Sequence, residues 1–424
     1  KDDLILIDTD EKALEQSQMD NDAIVLSGNA VAEGTLKKAG AANADLFVAV
    51  TNSDEINIIA ALRAKHLGAK RAVARVVNSV YFEGEYGLYN DMFGIDLVIN
   101  PKFLAALEIH KLVRSPVAAA IEDFANNQIE MIQLPIEKNT RATHRPLHEV
   151  KMPQNVRIAG IVRAGQLIIP HGGDQIRVGD DVICIGKADE IPLVEQLFGR
   201  DRKSRTHYVI IVGGGDIGVS LARRLAEDGI DVRIVEQHAP TCLQLREMLP
   251  ERHIEVVHGD GTHSAFLQEL AVSACDVLVA ASHKDEVNIM ASLLAKELRA
   301  PRCIALIQRP DYAPLLKQLG VDASLSPRLL VAREVLKYVS PTKVLAVTTV
   351  MDGQGQFMEF DVRAGARIAS RPLKSLDFPR GAMICAGFGA EGAFIARGDT
   401  QFQAGQRAII FTTPRVRAAV ERLF

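Results

Sequence analysis

The chain of 424 residues has the length of about three average domains, and its 49 Lys and Arg nearly balance its 53 Asp and Glu, giving a formal net charge of -4. That balance excludes a general nucleic-acid binder, which shows a clear basic excess. No run of about 18 apolar residues occurs, which excludes a membrane-spanning helix. The five cysteines lie far apart without a CxxC pair. We therefore expect neither a disulfide framework nor a sulfur metal site, and a reducing, cytosolic compartment.

The sequence consists of two diverged copies of one unit. Residues 45–58 match residues 276–289 at an offset of 231 (276 − 45), and residues 145–147 match residues 371–373 at an offset of 226 (371 − 145). Such self-similarity indicates a duplicated structural unit. Each copy is about 225 residues long.

Each copy has two parts with different sequence patterns. In its first part short apolar runs alternate with helical patterns, which predicts a doubly wound parallel sheet. In its second part short strands are separated by turn signals, which predicts a small α+β module. In the second copy we expect strands at His207–Val212, Val232–Glu236, Ile254–Val257, Val277–Ala281 and Cys303–Ile307, and helices at Ile217–Asp228 and Glu286–Leu298. The predicted fold class is thus α/β, with two Rossmann-like sheets, each followed by a small α+β module.

Proline and polar segments place the module boundaries. The first Rossmann-like module is expected at residues 1–116, and its small companion at 117–200. The second pair is expected at residues 204–341 and 342–424. An amphipathic helix precedes the proline at the end of each Rossmann-like module and would join it to its companion: Phe103–Val113 and Leu329–Val339.

The clearest motif is a glycine loop that fits GxGxxG between a predicted strand and a predicted helix. Gly213 permits the tight turn, Gly215 lets the backbone approach a pyrophosphate, and Gly218 allows close packing of the helix on the strand. The helix start at Asp216 and Ile217 offers unpaired N–H groups and a partial positive charge to phosphates. The motif predicts nucleotide binding, with a vestigial loop as the alternative.

An acidic residue follows the glycine loop at the distance expected of a ribose contact. Glu236 ends the next predicted strand, 18 residues after Gly218 (236 − 218). A carboxylate there accepts hydrogen bonds from ribose hydroxyls and repels a 2′-phosphate. Asp8 is its counterpart in the first copy, and it ends the apolar run Leu4–Ile7. The glycine loop that should precede Asp8 is absent. We therefore expect the native protein to be longer by one strand, one loop and one helix, unless this copy is damaged.

Further polar residues follow the other predicted strands at their carboxyl ends, where open parallel sheets bind ligands. Asp260 in the second copy, and Gly28 with Asn29 in the first, either recognise an adenine edge or form a turn with a helix cap. Thr51 and Ser282 follow the fourth strands. Both are candidate ribose or phosphate contacts.

The two copies differ at one position that bears on phosphate binding. Arg75 lies in the fifth strand of the first copy, where it is placed to neutralise a phosphate. Leu306 takes its place in the second copy, with Arg309 three residues later. The two sites are therefore expected to differ in nucleotide preference. Asp54 and Asp285 open the helices after the fourth strands, and we expect them to be N-caps.

The histidines do not indicate a metal site or a catalytic base. His253, His258 and His263 are five residues apart, unlike the i, i+4 pair of a helical zinc site, and are expected to be surface or turn residues. His283 lies at the ligand face, but its counterpart in the first copy is Asn52, which cannot act as an acid or base. Neither catalytic nor metal-binding residues are expected.

Together these features resemble the TrkA family, the cytosolic regulatory subunits of bacterial Trk potassium uptake systems. The resemblance covers nearly the whole chain and includes the pattern Thr/Ser-x-x-Asp-Glu-x-Asn-Ile after each fourth strand and the segment Ile307–Tyr312. It implies tandem RCK (or KTN) domains that bind NAD(H), and possibly ATP or ADP. It also implies a tetrameric ring beneath a TrkH-type potassium channel or transporter subunit. The location implied is cytoplasmic and peripheral, at the inner face of the cell membrane.

The resemblance carries binding roles over to matching positions of this sequence. In the second copy these are Gly213, Gly215, Gly218 and Glu236, with Asp260 and Ser282 as secondary contacts; in the first they are Asp8, Gly28, Thr51 and Arg75. The function implied is a non-enzymatic regulatory subunit that transmits its nucleotide state to a membrane partner. The helices that join the modules are candidates to carry that signal. The alternatives are a regulator of a potassium efflux or antiport system, and an NAD-dependent dehydrogenase.

Overall fold

The computed structural model describes residues 4–20, 23–82, 94–115, 120–125, 128–199, 206–250, 252–339, 344–350 and 354–424. The chain forms two compact units. Unit 1 takes residues 1–110 and 207–339, and unit 2 takes residues 111–206 and 340–424. Each unit therefore combines one segment from each copy of the repeat.

The second copy contributes a complete Rossmann-type sheet to unit 1. Its six strands are parallel and have the order β13-β12-β11-β14-β15-β16, the 3-2-1-4-5-6 arrangement of dinucleotide-binding folds. The elements are β11 (Tyr208–Val212), α6 (Asp216–Glu227), β12 (Asp231–Glu236), α7 (Ala239–Met248), β13 (Ile254–His258), α8 (Ser264–Glu269), β14 (Val277–Ala280), α9 (Asp285–Glu297), β15 (Cys303–Leu306), α10 (Ala313–Gln318), β16 (Ala323–Leu325) and α11 (Pro327–Val339).

The first copy contributes the counterparts of the two flanks of that sheet. Strand β1 pairs in parallel with β2, and β3, β4 and β5 form a second parallel sheet. These groups correspond to β12-β13 and to β14-β15-β16. The elements are β1 (Ile5–Asp8), α1 (Glu11–Asp20), β2 (Ile24–Ser27), α2 (Glu33–Lys38), β3 (Phe47–Ala49), α3 (Asp54–Leu67), β4 (Ala72–Arg75), β5 (Leu97–Ile99) and α4 (Pro101–Arg114).

Unit 2 contains two small antiparallel modules of identical strand order. They follow β6-β7-β10-β8-β9 and β17-β18-β21-β19-β20. The elements of the first are β6 (Ala120–Phe124), β7 (Ile129–Pro135), β8 (Val156–Arg163), β9 (Gln166–Ile168), β10 (Asp181–Lys187) and α5 (Ile191–Leu197). Those of the second are β17 (Val344–Val350), β18 (Gly355–Asp361), β19 (Ala382–Gly389), β20 (Gly392–Ile395), β21 (Arg407–Thr412) and α12 (Arg417–Glu421).

The two small modules share one apolar core. Phe124 from the first packs on Phe357 from the second with ring centroids 5.4 Å apart, and Phe357 packs on Phe411 at 4.4 Å. At the rim, the backbone N–H of Ala125 donates to Glu359 Oε1. Aromatic pairs of this kind add to the free energy gained by burying apolar area. The duplication thus buries a face of each module against its own copy.

The expected architecture is confirmed, with small shifts at the element ends. The predicted strands and helices of the second copy form within one or two residues of their expected bounds. The joining helices begin at Pro101 and Pro327, two residues earlier than expected, because proline suits the first turn of a helix, where its missing N–H costs nothing. Among the described residues no helix is long and apolar enough to span a membrane.

Candidate functional site

The glycine loop of the second copy lies where the sequence predicts it, between β11 and α6. Gly213 has φ of +116°, and a Cβ there would lie 2.8 Å from the backbone N of Ser282. A Cβ on Gly218 would lie 2.1 Å from the carbonyl oxygen of Gly213. Both positions therefore require glycine for the backbone to close. At Gly215 the space that a Cβ would enter is open, which leaves the backbone accessible to a ligand.

The loop is tied to the carboxylate at the end of β12. Glu236 Oε2 accepts a hydrogen bond from the backbone N–H of Gly214 at 3.0 Å. Glu236 Oε1 accepts one from the backbone N–H of His238 at 2.8 Å and contacts His238 Nδ1 at 3.0 Å. Burial favours the neutral acid, but these hydrogen bonds outweigh it and lower the pKa of Glu236 below its usual value. The carboxylate is therefore ionised at neutral pH and can accept further hydrogen bonds.

The next strand ends complete one edge of the sheet. Asp260 follows β13, and its Oδ1 accepts hydrogen bonds from the backbone N–H and the hydroxyl of Thr262 at 2.8 and 2.7 Å. Gln237, which directly follows Glu236, donates a hydrogen bond from its Nε2 to Asp260 Oδ2 at 3.3 Å. Ser282 follows β14, and its backbone packs against Gly213. The structure thus brings the glycine loop, Glu236, Asp260 and Ser282 together at the carboxyl edge.

Asp260 and Asn29 shape turns and do not cap the following helices. Asn29 Oδ1 accepts a hydrogen bond from the backbone N–H of Val31 at 2.9 Å, in the same pattern as Asp260. The residues that precede helices α2 and α8 are Ala32 and His263. The expected turn is confirmed at both positions, whereas the expected side-chain helix cap is wrong. The other alternative, recognition of an adenine edge, stays a prediction.

The expectation that Asp54 and Asp285 are N-caps is also wrong. Ser53 caps α3 by accepting from the backbone N–H of Ile56, and Lys284 precedes α9 without a side-chain cap. Asp54 instead accepts from the backbone N–H groups of Val77 and Asn78. In the second copy Asp285 accepts from those of Gln308 and Arg309 in the same way. Each carboxylate joins its helix to the loop after the next strand, because those loop N–H groups lack strand partners.

Two buried asparagines hold the strand ends, and the sequence reasoning missed both. Asn288 Oδ1 accepts from the backbone N–H of Ser282 at 2.8 Å, and its Nδ2 donates to the carbonyls of Ser282 and Leu306 at 2.9 Å each. Asn57 makes the same contacts to Thr51 and Arg75 in the first copy. The signal was present, since both asparagines belong to the repeated Asp-Glu-x-Asn pattern.

The candidate residues of the first copy lie at corresponding strand ends. Asp8 ends β1, is exposed and accepts a hydrogen bond from the backbone N–H of Asp10, while Gly28 follows β2 and donates its N–H to the Asp8 carbonyl. Thr51 follows β3 and donates its hydroxyl to Asn57 Oδ1 at 2.8 Å. Arg75 ends β4, and its buried Nε has no hydrogen-bond partner among the described residues.

A cation from the first copy reaches the glycine loop of the second. Asp216 is the first residue of α6, and its side chain is 71% exposed. Its carboxylate pairs with Lys102 Nζ, from the first turn of α4. Ile217, the next residue of α6, is half-buried. The loop therefore carries an acidic side chain whose charge is balanced by the other module of unit 1.

The four histidines considered above make separate contacts. His253 Nδ1 contacts Asp231 Oδ1 at 2.7 Å, and His258 Nε2 contacts the carbonyl of Gln237 at 3.0 Å. His263 precedes α8, and His283 is exposed. In the described part of the chain, no group of three or more His, Cys, Asp or Glu side chains is arranged to hold a metal ion.

Comparison with known proteins assigns the chain to a family. The TrkA-N domain profile matches residues 1–101 and 209–327, and the TrkA-C domain profile matches residues 131–199 and 357–424. The chain belongs to the TrkA family. Its TrkA-N segments hold the parallel sheets and the glycine loop, and its TrkA-C segments hold the small antiparallel modules except their first strands, β6 and β17.

Relatives of known name match over the full length of the chain. It is 32% identical to "Trk system potassium uptake protein TrkA homolog 1" of Methanosarcina mazei, over all of this chain and 95% of that protein. It is 31% identical to "Trk system potassium uptake protein TrkA" of Haemophilus influenzae, over all of this chain and 93% of that protein. The similarity therefore extends over both copies of the repeat.

Solved structures share the fold at low sequence identity. The GsuK RCK domain matches with a TM-score of 0.56 and 17% identity, over 99% of this chain and 89% of that one. A GsuK channel bound to NAD matches with a TM-score of 0.58 and 17% identity, over 99% of this chain and 74% of that one. The TrkA-family chain thus has the RCK architecture.

Proposed function

We propose that the protein is a regulatory subunit of a potassium uptake system that binds a nucleotide at the glycine loop of its second copy. One observation carries this proposal. In a chain of the TrkA family, an open glycine loop lies directly beside an ionised carboxylate, Glu236, which is hydrogen-bonded to Gly214. The NAD held by the GsuK channel, a protein of the same fold, supports NAD(H) as the ligand.

Different residues of the site bind different parts of the nucleotide. The N–H groups of Gly215, Asp216 and Ile217 at the start of α6 face the pyrophosphate, where the helix dipole favours negative charge. Glu236 accepts the ribose hydroxyls. Asp260 and Ser282 border the site at the neighbouring strand ends. The remnant of this arrangement in the first copy consists of Asp8, Gly28, Asn29, Thr51 and Arg75.

The first site is expected to prefer another nucleotide than the second, such as ATP or ADP, because it contains Arg75. Its buried Nε lacks a hydrogen-bond partner among the described residues. A buried guanidinium atom of this kind is stabilised by an anionic group. The second copy has Leu306 at this place.

The nucleotide acts here as a regulatory ligand. The protein would form a tetrameric ring on the cytoplasmic side of the membrane, bound to a TrkH-type subunit that conducts the potassium. The names of the relatives support uptake over efflux. No reaction of the nucleotide is required, because binding energy that differs between two conformations is enough to shift their populations.

Calorimetric titration of the full chain with NADH tests the ligand, and co-purification from membranes tests the partner. We expect saturable NADH binding, NADH absorbance that stays constant during incubation with hydroxy and amino acids, and recovery of a potassium-transporting membrane protein. Absence of NADH binding, or oxidation of the cofactor with one of these substrates, would contradict the proposal. Recovery of an efflux protein would correct the direction of transport.

A further inference from the structure

We propose that Lys102 is a phosphate-binding residue of the second nucleotide site, supplied by the first module of unit 1. In the structure the Lys102 ammonium pairs with Asp216. A bound pyrophosphate takes over this ammonium and displaces the Asp216 carboxylate. This inference rests on the proposed nucleotide site and adds a residue that lies outside the glycine-loop motif, 114 positions away in sequence.

Contacts along helix α4 fix the position of Lys102. Asn100 Oδ1 accepts hydrogen bonds from the backbone N–H groups of Lys102 and Phe103 at 2.9 and 3.0 Å, which sets the first turn. The guanidinium of Arg224, on α6, lies 4.6 Å from the centre of the Phe103 ring. These contacts hold the start of α4 against α6. Lys102 is therefore presented at the loop by packed helices.

A second contact fixes the other end of α6. His110 Nε2, on α4, lies 2.7 Å from Asp228 Oδ2, and Asp228 directly follows α6. The glycine-loop helix is thus held near both of its ends by α4. A change of partner at the first turn of α6 therefore alters one of several contacts between α6 and the other module.

Charge favours an exchange of partners when a diphosphate arrives. The pyrophosphate of a dinucleotide carries two negative charges, and it must approach the N–H groups at the start of α6. The Asp216 carboxylate at that position repels it. A lysine ammonium attracts phosphate as a point charge and does not need a fixed geometry to do so. Since the Lys102 side chain is 40% exposed, it is free to turn from the carboxylate to the phosphate.

The exchange couples the ligand to the packing of the two modules. While it is paired with Asp216, Lys102 contributes to the contact between α4 and α6. Once Lys102 binds phosphate, the ligand lies between Lys102 and the start of α6 and replaces their direct contact. The occupied and the empty site therefore differ in one charged contact between the modules, which is the differential interaction that a regulatory ligand needs.

Calorimetric titrations of NADH into the full chain and its variants test this assignment. We expect Lys102→Met to weaken NADH binding about tenfold, because a charge-assisted contact to phosphate is lost. Lys102→Arg should restore most of the affinity. Lys317→Met, which removes an exposed charge elsewhere in unit 1, should leave it unchanged. Asp216→Asn should strengthen binding, since the competing carboxylate is gone.

A double-mutant cycle separates contact from general charge effects. If phosphate displaces Asp216, Lys102→Met costs more affinity in the Asp216→Asn background than in the wild type, because there Lys102 no longer has to leave a carboxylate. Equal losses in both backgrounds, or shifts of both single variants in the same direction, would overturn the assignment. So would an affinity of Lys102→Met within about twofold of the wild type. Failure of the wild type to bind NADH would instead count against the proposed nucleotide site itself.

Discussion

At the scale of single residues, the site depends on side chains that fix backbone groups as well as on those that face a ligand. Glu236 does both. It accepts hydrogen bonds from the backbone N–H groups of Gly214 and His238, and at the end of β12 it borders the proposed nucleotide site. Asn288 does only the first. Its amide satisfies the backbone of Ser282 and the carbonyl of Leu306, where the strands stop and their backbone groups lose sheet partners.

Substitution of Glu236 tests its proposed ribose contact. We expect Glu236→Gln to weaken NADH binding about tenfold, because a hydrogen bond to a charged acceptor is lost. NADPH should bind the variant better than it binds the wild type, since the charge that repels the 2′-phosphate is gone. Fluorescence titrations with both nucleotides measure the ratio. An unchanged preference for NADH over NADPH would contradict the ribose contact.

Substitution of Asn288 tests its structural role. Its side chain is buried with 1% of its surface exposed, so Asn288→Ala leaves three backbone groups unsatisfied and should lower the free energy of unfolding by about 2–3 kcal/mol. Met290→Ala, at a half-exposed position of the same helix, is the control and should cost far less. Urea unfolding of the two variants gives the comparison. Equal losses would show that the amide is not what holds the strand ends.

At the scale of elements, the sequence was sufficient for most of the second copy. Alternation of apolar runs and helical patterns located its strands and helices, and glycine spacing located the loop. The contacts of Asp54 and Asp285 could not be foreseen in this way. Local sequence indicated helix caps, whereas the partners of these carboxylates are N–H groups of loops 23 and 24 positions away in the chain. The contact of Lys102 with Asp216 depends on the packing of two modules, which no local pattern encodes.

Two glycines of the loop should respond differently to the same substitution. A Cβ on Gly218 would lie 2.1 Å from the Gly213 carbonyl oxygen, so Gly218→Ala should destabilise the protein by about 2 kcal/mol and impair nucleotide binding. The space at Gly215 is open, so Gly215→Ala should fold with wild-type stability and still lose NADH affinity. Thermal unfolding and calorimetry on both variants separate the effects. Full NADH affinity in Gly215→Ala would place the phosphates elsewhere.

At the scale of the whole molecule, one helix belongs to both compact units. Residues of α4 up to His110 belong to unit 1, and those from Lys111 belong to unit 2. Within unit 2, Lys111 pairs with Asp123 at 2.6 Å, and the Thr206 hydroxyl donates to the Val113 carbonyl at 2.8 Å. Both charged side chains of the ion pair are largely buried. The end of the helix is therefore held firmly by contacts within unit 2.

Small-angle scattering tests whether nucleotide binding changes the molecule as a whole. We expect the profile of the full chain to differ between the nucleotide-free and the NADH-saturated states, because a ligand that prefers one arrangement shifts the population towards it. Gly215→Ala should give the nucleotide-free profile under both conditions. Superimposable profiles of the wild type, with saturation verified by calorimetry, would exclude a change of this kind.

The most direct test of the regulatory role is a measurement of potassium flux. The protein would be reconstituted in vesicles with the membrane subunit that co-purifies with it, and potassium movement followed with and without NADH on the side of the added protein. The proposed function predicts a flux that changes with NADH for the wild type and stays constant for Gly215→Ala. A wild-type flux that does not respond to NADH, with the site shown to be saturated, would contradict it.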